Sequence, residues 1–90
     1  MEVTGTIIHF GDITTGVSKS GKDWSKQEFV IQTDEQYPKK IAIIVMGDKV
    51  DQLSYYKPGQ KTKCKIQIES REWQGRWYTT VMAWYLAGVN

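Results

Sequence analysis

The sequence predicts an all-β fold, a small five-stranded Greek-key barrel with one short helix between the third and fourth strands. Three observations predict it. Segments of strand-like, largely alternating apolar and polar residues recur along the whole chain, separated by short runs containing glycine, proline and aspartate. The stretch after Gly47-Asp48 offers an N-cap followed by Val50 and Leu53 at the i, i+3 spacing of a helix face. A polar turn rich in arginine and tryptophan, Glu69 to Thr79, divides the last two strand-like segments.

The 90 residues suffice for one core without disulfide staples, and 1–90 reads as a single domain. A formal net charge of +2 is too small for a polybasic binder of duplex DNA, so the distribution of charge is more informative than its sum. Aromatic residues make up 12% of the chain and include four tryptophans, a content that needs a use in the core or on the surface. The single cysteine, Cys64, excludes an internal disulfide and a cysteine-cluster metal site, and fits a reducing compartment. No basic region followed by an apolar one comes after Met1, and no apolar run reaches membrane-spanning length. The expectation is a cytoplasmic protein with no membrane partner.

Glu2 to Phe10 is rich in Thr, Ile and Val and predicts strand 1, bent or bulged at Gly5 and broken from Gly11-Asp12. Val17 to Lys22 is a basic glycine-containing loop that, taken alone, reads as a solvated connection. Asp23 to Thr33 predicts strand 2. Its alternation places Phe29 and Ile31 in the core and Trp24, Lys26, Glu28 and Val30 on the other face. Thr33 to Pro38 is a polar connection stopped by the proline. Ile41 to Met46 predicts strand 3, a central strand covered on both sides because its apolar run is nearly continuous. Gly47-Asp48 offers the N-cap of a helix, Lys49 to Tyr56, whose Val50 and Leu53 plug one end of the barrel. Lys57-Pro58-Gly59 ends it. Gln60 to Glu69 predicts strand 4, with Thr62, Cys64, Ile66 and Ile68 inward and Lys61, Lys63, Lys65 and Gln67 outward. Trp77 to Leu86 predicts strand 5, with Thr79, Val81 and Ala83 on one face and Tyr78, Thr80, Met82 and Trp84 on the other. Ala87 to Asn90 reads as a frayed tail.

Three strands, a short helix and two strands form the order of the OB-fold, a five-stranded Greek-key barrel; an SH3-like barrel has no helix at that point. In an OB-fold the ligand face is built on strands 2 and 3 and framed by the loops joining strands 1–2 and 4–5. Several chemistry-bearing residues then converge. The 1–2 loop supplies Lys19 and Lys22, and strand 2 supplies Trp24 and Lys26. Tyr37, Lys39 and Lys40 precede or open strand 3, and the 4–5 hairpin supplies Arg71, Trp73, Arg76 and Trp77. Cations neutralise phosphates with release of counterions, and flat rings stack on bases that a duplex hides. No Asn/Gln array is placed to read base edges, so little sequence preference is expected.

Each residue also has a plainer role. Trp77 begins strand 5 on its inward parity, which favours core packing over ligand contact. Tyr78 and Trp84 share the outward parity and could pack on a partner subunit. Lys61, Lys63 and Lys65 read as a solvated strand face that discourages edge aggregation. Catalysis finds no support. His9 reads as a packed histidine without a second histidine to complete a metal site, Cys64 as a small inward hydrophobe, and Asp34-Glu35 and Asp48/Asp51 as turn and cap residues. The chain is not expected to be an enzyme or to hold a metal or other cofactor.

The blocks Gly16 to Thr33, Glu35 to Lys40 and Glu69 to Thr79 resemble an uncharacterised family of small OB-fold proteins of bacteria and their phages, itself similar to single-stranded-DNA-binding proteins. The resemblance covers nearly the whole chain. It implies single-stranded DNA as the ligand, with RNA as the alternative polymer, and a place in replication, recombination or repair inside a bacterial or phage-infected cell. Better-known bacterial single-strand binders carry a flexible acidic C-terminal tail. The sequence reaches Asn90 without one, so a hub role at the replication fork is not expected. A homo-oligomer, dimer or tetramer, is expected because linked sites raise effective concentration. The rival expectation is a protein-interaction or assembly module whose exposed tryptophans are interface anchors.

Overall fold

The structure, a computed structural model, describes residues 1–89. Strands β1 (Glu2–Val17), β2 (Asp23–Thr33), β3 (Lys40–Met46), β4 (Lys61–Trp73) and β5 (Arg76–Gly88) enclose a barrel, and helix α1 (Asp48–Leu53) lies between β3 and β4. The order around the closed barrel is β1-β2-β3-β5-β4. Neighbours are antiparallel except β3 and β5, which meet in parallel at Ile44 and Met82. This is the expected OB arrangement, helix included.

The core follows from the period-2 pattern. Phe29 and Ile31 of β2, Ile43 and Val45 of β3 and Cys64 of β4 are fully buried, with Ile7 of β1 beside them. Val50 and Leu53 carry α1 onto this cluster. The Gln52 amide pins the helix to β5, donating to the Leu86 carbonyl at 2.9 Å. The helix is shorter than expected and starts after Gly47, whose φ of 60° forms a cap without a side-chain hydrogen bond. Asp48 and Asp51 supply first-turn negative charge that suits the helix dipole.

Strand β1 runs past the expected break. Gly5 is not a bulge, for it pairs in register with both Thr33 and Thr62. Glycine is required there by close approach, since a Cβ would overlap the Gln32 carbonyl oxygen. The irregularities fall instead between Ile7 and His9 and between Phe10 and Ile13. At the second, the Gln27 amide donates to the Gly11 carbonyl at 2.9 Å, and the strand continues to Val17 beyond the bend. The first bulge leaves His9 exposed, so it is not the packed histidine expected from its apolar surroundings.

Three other expectations change. β3 is covered on one face only; Ala42 and Met46 are exposed and Ile44 is half-buried on the outer one. Ile68 is 50% exposed despite its inward parity, because it lies where β4 outruns the buried stretch of the barrel. The tail is not frayed up to Val89. Ala87 and Gly88 pair with Lys63 and Thr62, and the Val89 amide donates to the Lys61 carbonyl at 3.0 Å. Asn90 lies outside the described residues. Among those described, no helix is long and apolar enough to cross a membrane.

Candidate nucleic-acid interface

The hairpin joining β4 and β5 closes at the Trp73–Arg76 pair through Gln74 (φ 50°) and Gly75 (φ 77°). Positive φ at both central residues marks a type I′ turn, whose twist matches that of the flanking strands. Its register sorts the side chains. Arg71 and Tyr78, Glu69 and Thr80, and Trp73 and Arg76 are paired on one face, in line with Gln67 and Met82. Trp77 pairs with Glu72 on the opposite face, along with the Ile68–Val81 pair and the hydroxyls of Ser70 and Thr79, 2.9 Å apart. Trp77 is 68% exposed, so the core packing its parity favoured does not occur. No opposite barrel wall covers this part of the hairpin.

The first face continues into a groove of about 420 Å³ between the hairpin and the outer side of β2 and β3. Ile44, Met46 and Met82 give it an apolar floor, Tyr78 a half-exposed aromatic ring, and Lys26 and Arg71 two cations. Arg71 lies 3.6 Å from the Glu69 carboxylate, an exposed pair weak enough to be exchanged for another anion. Lys26 has no ion-pair partner among the described residues. Trp73 and Arg76 extend the same face to the hairpin tip.

Trp24 lies beside the groove on β2, opposite Gly16 of β1. Its indole packs on Gly16 so closely that a Cβ there would overlap the ring. It lines a hollow of about 450 Å³ with Thr15, Ser25 and Gly47 and remains 37% exposed. Lys19 and Lys22 occupy the adjoining turn, closed by a 2.8 Å hydrogen bond from the Ser18 amide to the Lys22 carbonyl; both are exposed. A third hollow, of about 260 Å³, shares Lys26 and Ile44 with the groove but brings in Asp12 and Glu28. Carboxylates thus border the groove on the side of the β1 bulge.

The structure divides the expected set. Lys26 and Arg71 meet in the groove, Trp73 and Arg76 prolong it, and Trp24, Lys19 and Lys22 form the neighbouring β1–β2 hairpin. Tyr37, Lys39 and Lys40 do not join them. The β2–β3 ladder has Lys26–Met46 at one end and Gln32–Lys40 at the other, about 20 Å away along the strand. Lys39 lies 3.9 Å from Glu35. Ile44, Met46, Tyr78 and Met82, which build the floor and one wall, were not among the expected site residues. The outward parity of Tyr78 and Met82 was visible in the alternation of strand 5. The open face of β3 was hidden by its apolar run.

Among the described residues, no three of His, Cys, Asp or Glu are grouped so as to hold a metal ion. Burial pushes the Cys64 thiol up to about 11, so it is a core residue and not a nucleophile at neutral pH.

The same barrel is found in solved structures of single-stranded DNA binding proteins. The mitochondrial protein Rim1 of S. cerevisiae superposes with a TM-score of 0.74 at 13% identity, covering 99% of this chain and 92% of Rim1. The Thermus aquaticus protein gives 0.65 at 16% identity, covering 99% of this chain and 48% of the other, so this chain spans about half its length. Both are named for binding single-stranded DNA rather than for a catalysed reaction. At these identities the likeness establishes the OB-fold. No curated protein matches the sequence. A family model matches residues 2–87, and the chain belongs to that family, described as a domain of unknown function, DUF3127.

Proposed function

We infer that this protein binds single-stranded nucleic acid, DNA before RNA, with little sequence preference and without catalysing a reaction. One observation carries the reading: an apolar groove on the outer β2–β3 face of an OB barrel, with Lys26 and Arg71 on its walls and Trp73 and Trp24 beside it. Bases set against Tyr78, Trp73 and the methionine floor would leave their phosphates to the two cations, with Lys19, Lys22 and Arg76 nearby on the hairpins. The structural neighbours' names support the same ligand. Replication, recombination or repair in a bacterial or phage-infected cytoplasm, by a dimer or tetramer, completes the reading.

The test is intrinsic tryptophan fluorescence during titration with unlabelled oligo-dT at low and high salt. Saturable quenching that weakens with salt is expected. No change at low salt in a folded protein would overturn the reading. Duplex DNA and RNA competitors then identify the preferred polymer.

A second reading, an interaction module, is favoured by Trp77. It stands 68% exposed on the hairpin face away from the groove, near the 50% exposed Ile68. Self-association or partner capture insensitive to oligonucleotide and moderate salt would support it.

A further inference from the structure

We propose that a second station for single-stranded nucleic acid lies on the outer face of the β4–β5 ladder, at Lys65, Trp84 and Tyr85, and takes up the strand as it leaves the groove. The proposal rests on the reading of the groove given above.

A slip in register creates the station. Lys65 pairs with Tyr85 but Ile66 pairs with Ala83, which leaves Trp84 as an extra residue in β5. Unbroken alternation from Ala83 would turn Tyr85 inward. With the bulge, Leu86 takes the core position at 3% exposure, and two consecutive aromatic residues stay outside, Trp84 56% and Tyr85 41% exposed. The Lys65 ammonium serves both rings, with Nζ 5.6 Å from the Trp84 centroid and 5.1 Å from that of Tyr85. Two exposed rings that share one cation match the requirements of a base and its phosphate.

The charges select this route. Lys61 and Lys63, on the same strand face, are paired with Asp34 and Glu2. Lys65 has no carboxylate partner among the described residues. It is also the next outward position on β4 after Gln67, a groove residue, about 7 Å further along the strand. In the other direction, beyond Lys26, the surface presents Asp12 and Glu28, which repel phosphates. A polyanion leaving the floor therefore meets an unpaired cation at Lys65 on one side and two carboxylates on the other.

The experiment measures affinity for oligo-dT of about 6 and about 16 nucleotides, near the limits of an OB-fold site. The intact protein is compared with Trp84→Ala and Lys65→Gln, with oligomeric state and thermal midpoint recorded for each. The expected result is a fall of at least about fivefold in the ratio of long- to short-oligonucleotide affinity in Trp84→Ala. In Lys65→Gln the salt slope for the long oligonucleotide alone becomes shallower by about 0.7. An unchanged ratio and slope, or a fall in ratio that accompanies a change in oligomeric state, overturns the station while leaving the groove intact. Failure of the unaltered protein to bind either oligonucleotide overturns both.

Discussion

The indole of Trp24 rests on Gly16 across the β1–β2 ladder, with no space for a side chain between them. The ring is thereby held against the protein's own backbone, which fixes the orientation of a residue that remains 37% exposed. A ring held in this way loses little freedom when a base stacks on it. Gly16→Ala must lift the indole away. The expected outcome is a red-shifted tryptophan emission and an oligonucleotide affinity lowered by ~1–3 kcal/mol, the contribution of one stack. Unchanged emission and affinity would show that Trp24 neither depends on Gly16 nor meets the ligand.

Lys26 and Arg71 differ in what they must give up to meet a phosphate. Lys26 has no ion-pair partner among the described residues, whereas Arg71 must leave Glu69, 3.6 Å away. Lys26→Gln and Arg71→Gln should each make the salt dependence of binding shallower by about 0.7, the value for one phosphate on a single strand. Glu69→Gln should act in the opposite sense on affinity, by releasing Arg71 and removing a negative charge from the groove. Titrations at several salt concentrations check all three; a Glu69→Gln variant that binds more weakly would contradict the assignment of Arg71.

Trp73 and Trp77 stand on opposite faces of one hairpin, and only Trp73 is aligned with the groove. Trp73→Ala should weaken oligonucleotide binding by ~1–3 kcal/mol. Trp77→Ala should leave that affinity within experimental error and, if Trp77 anchors a partner, lower the oligomeric state. Anisotropy titrations with sedimentation on the same samples separate the two, and equal losses of binding would place both rings on the ligand.

The barrel was legible because its strands carry a period-2 pattern with few exceptions. Phe29, Ile31, Cys64 and Ile66 fall in the core where alternation puts them. The same rule failed wherever a residue's environment, and not its parity, decides exposure. Trp77 and Ile68 have inward parity but no opposite wall, since the hairpin's reach beyond the barrel is a tertiary fact. Gly5 reads as a bend and is a close contact; of the true irregularities, the one between Phe10 and Ile13 contains Gly11, while those at Ile8 and Trp84 have no glycine to mark them. The groove was half legible. Its cations were conspicuous, whereas Ile44 and Met46 were indistinguishable from core residues in a run of apolar side chains.

Thr62 is an exception inside the core. It is fully buried on β4, paired with Gly5 on one side and Gly88 on the other, and its hydroxyl has no hydrogen-bond partner among the described residues. A buried polar group left unpaired costs about 1–3 kcal/mol. Thr62→Val keeps the shape and removes the hydroxyl, so a gain of about 1 kcal/mol in unfolding free energy is expected. Denaturant unfolding checks it; a loss would show that the hydroxyl is satisfied in solution.

Cys64 gives the core a signature in alkali. Burial raises its thiol from 9.0 to about 11, so the folded protein resists ionisation that the unfolded chain accepts. A raised folded value means that this contribution to stability is fully present below pH 9.0 and is lost as pH rises to about 11. The two-unit shift corresponds to a decline of about 2–3 kcal/mol across that interval. Lysines and tyrosines titrate in the same range, so the comparison is between the parent protein and Cys64→Ala. The variant starts less stable because of its cavity, and its stability should fall less steeply between those pH values. Parallel curves would mean that the thiol ionises as readily folded as unfolded. Rapid labelling of the native protein by a thiol reagent at pH 8 would point the same way, through an opening of β4 that the closed barrel does not show.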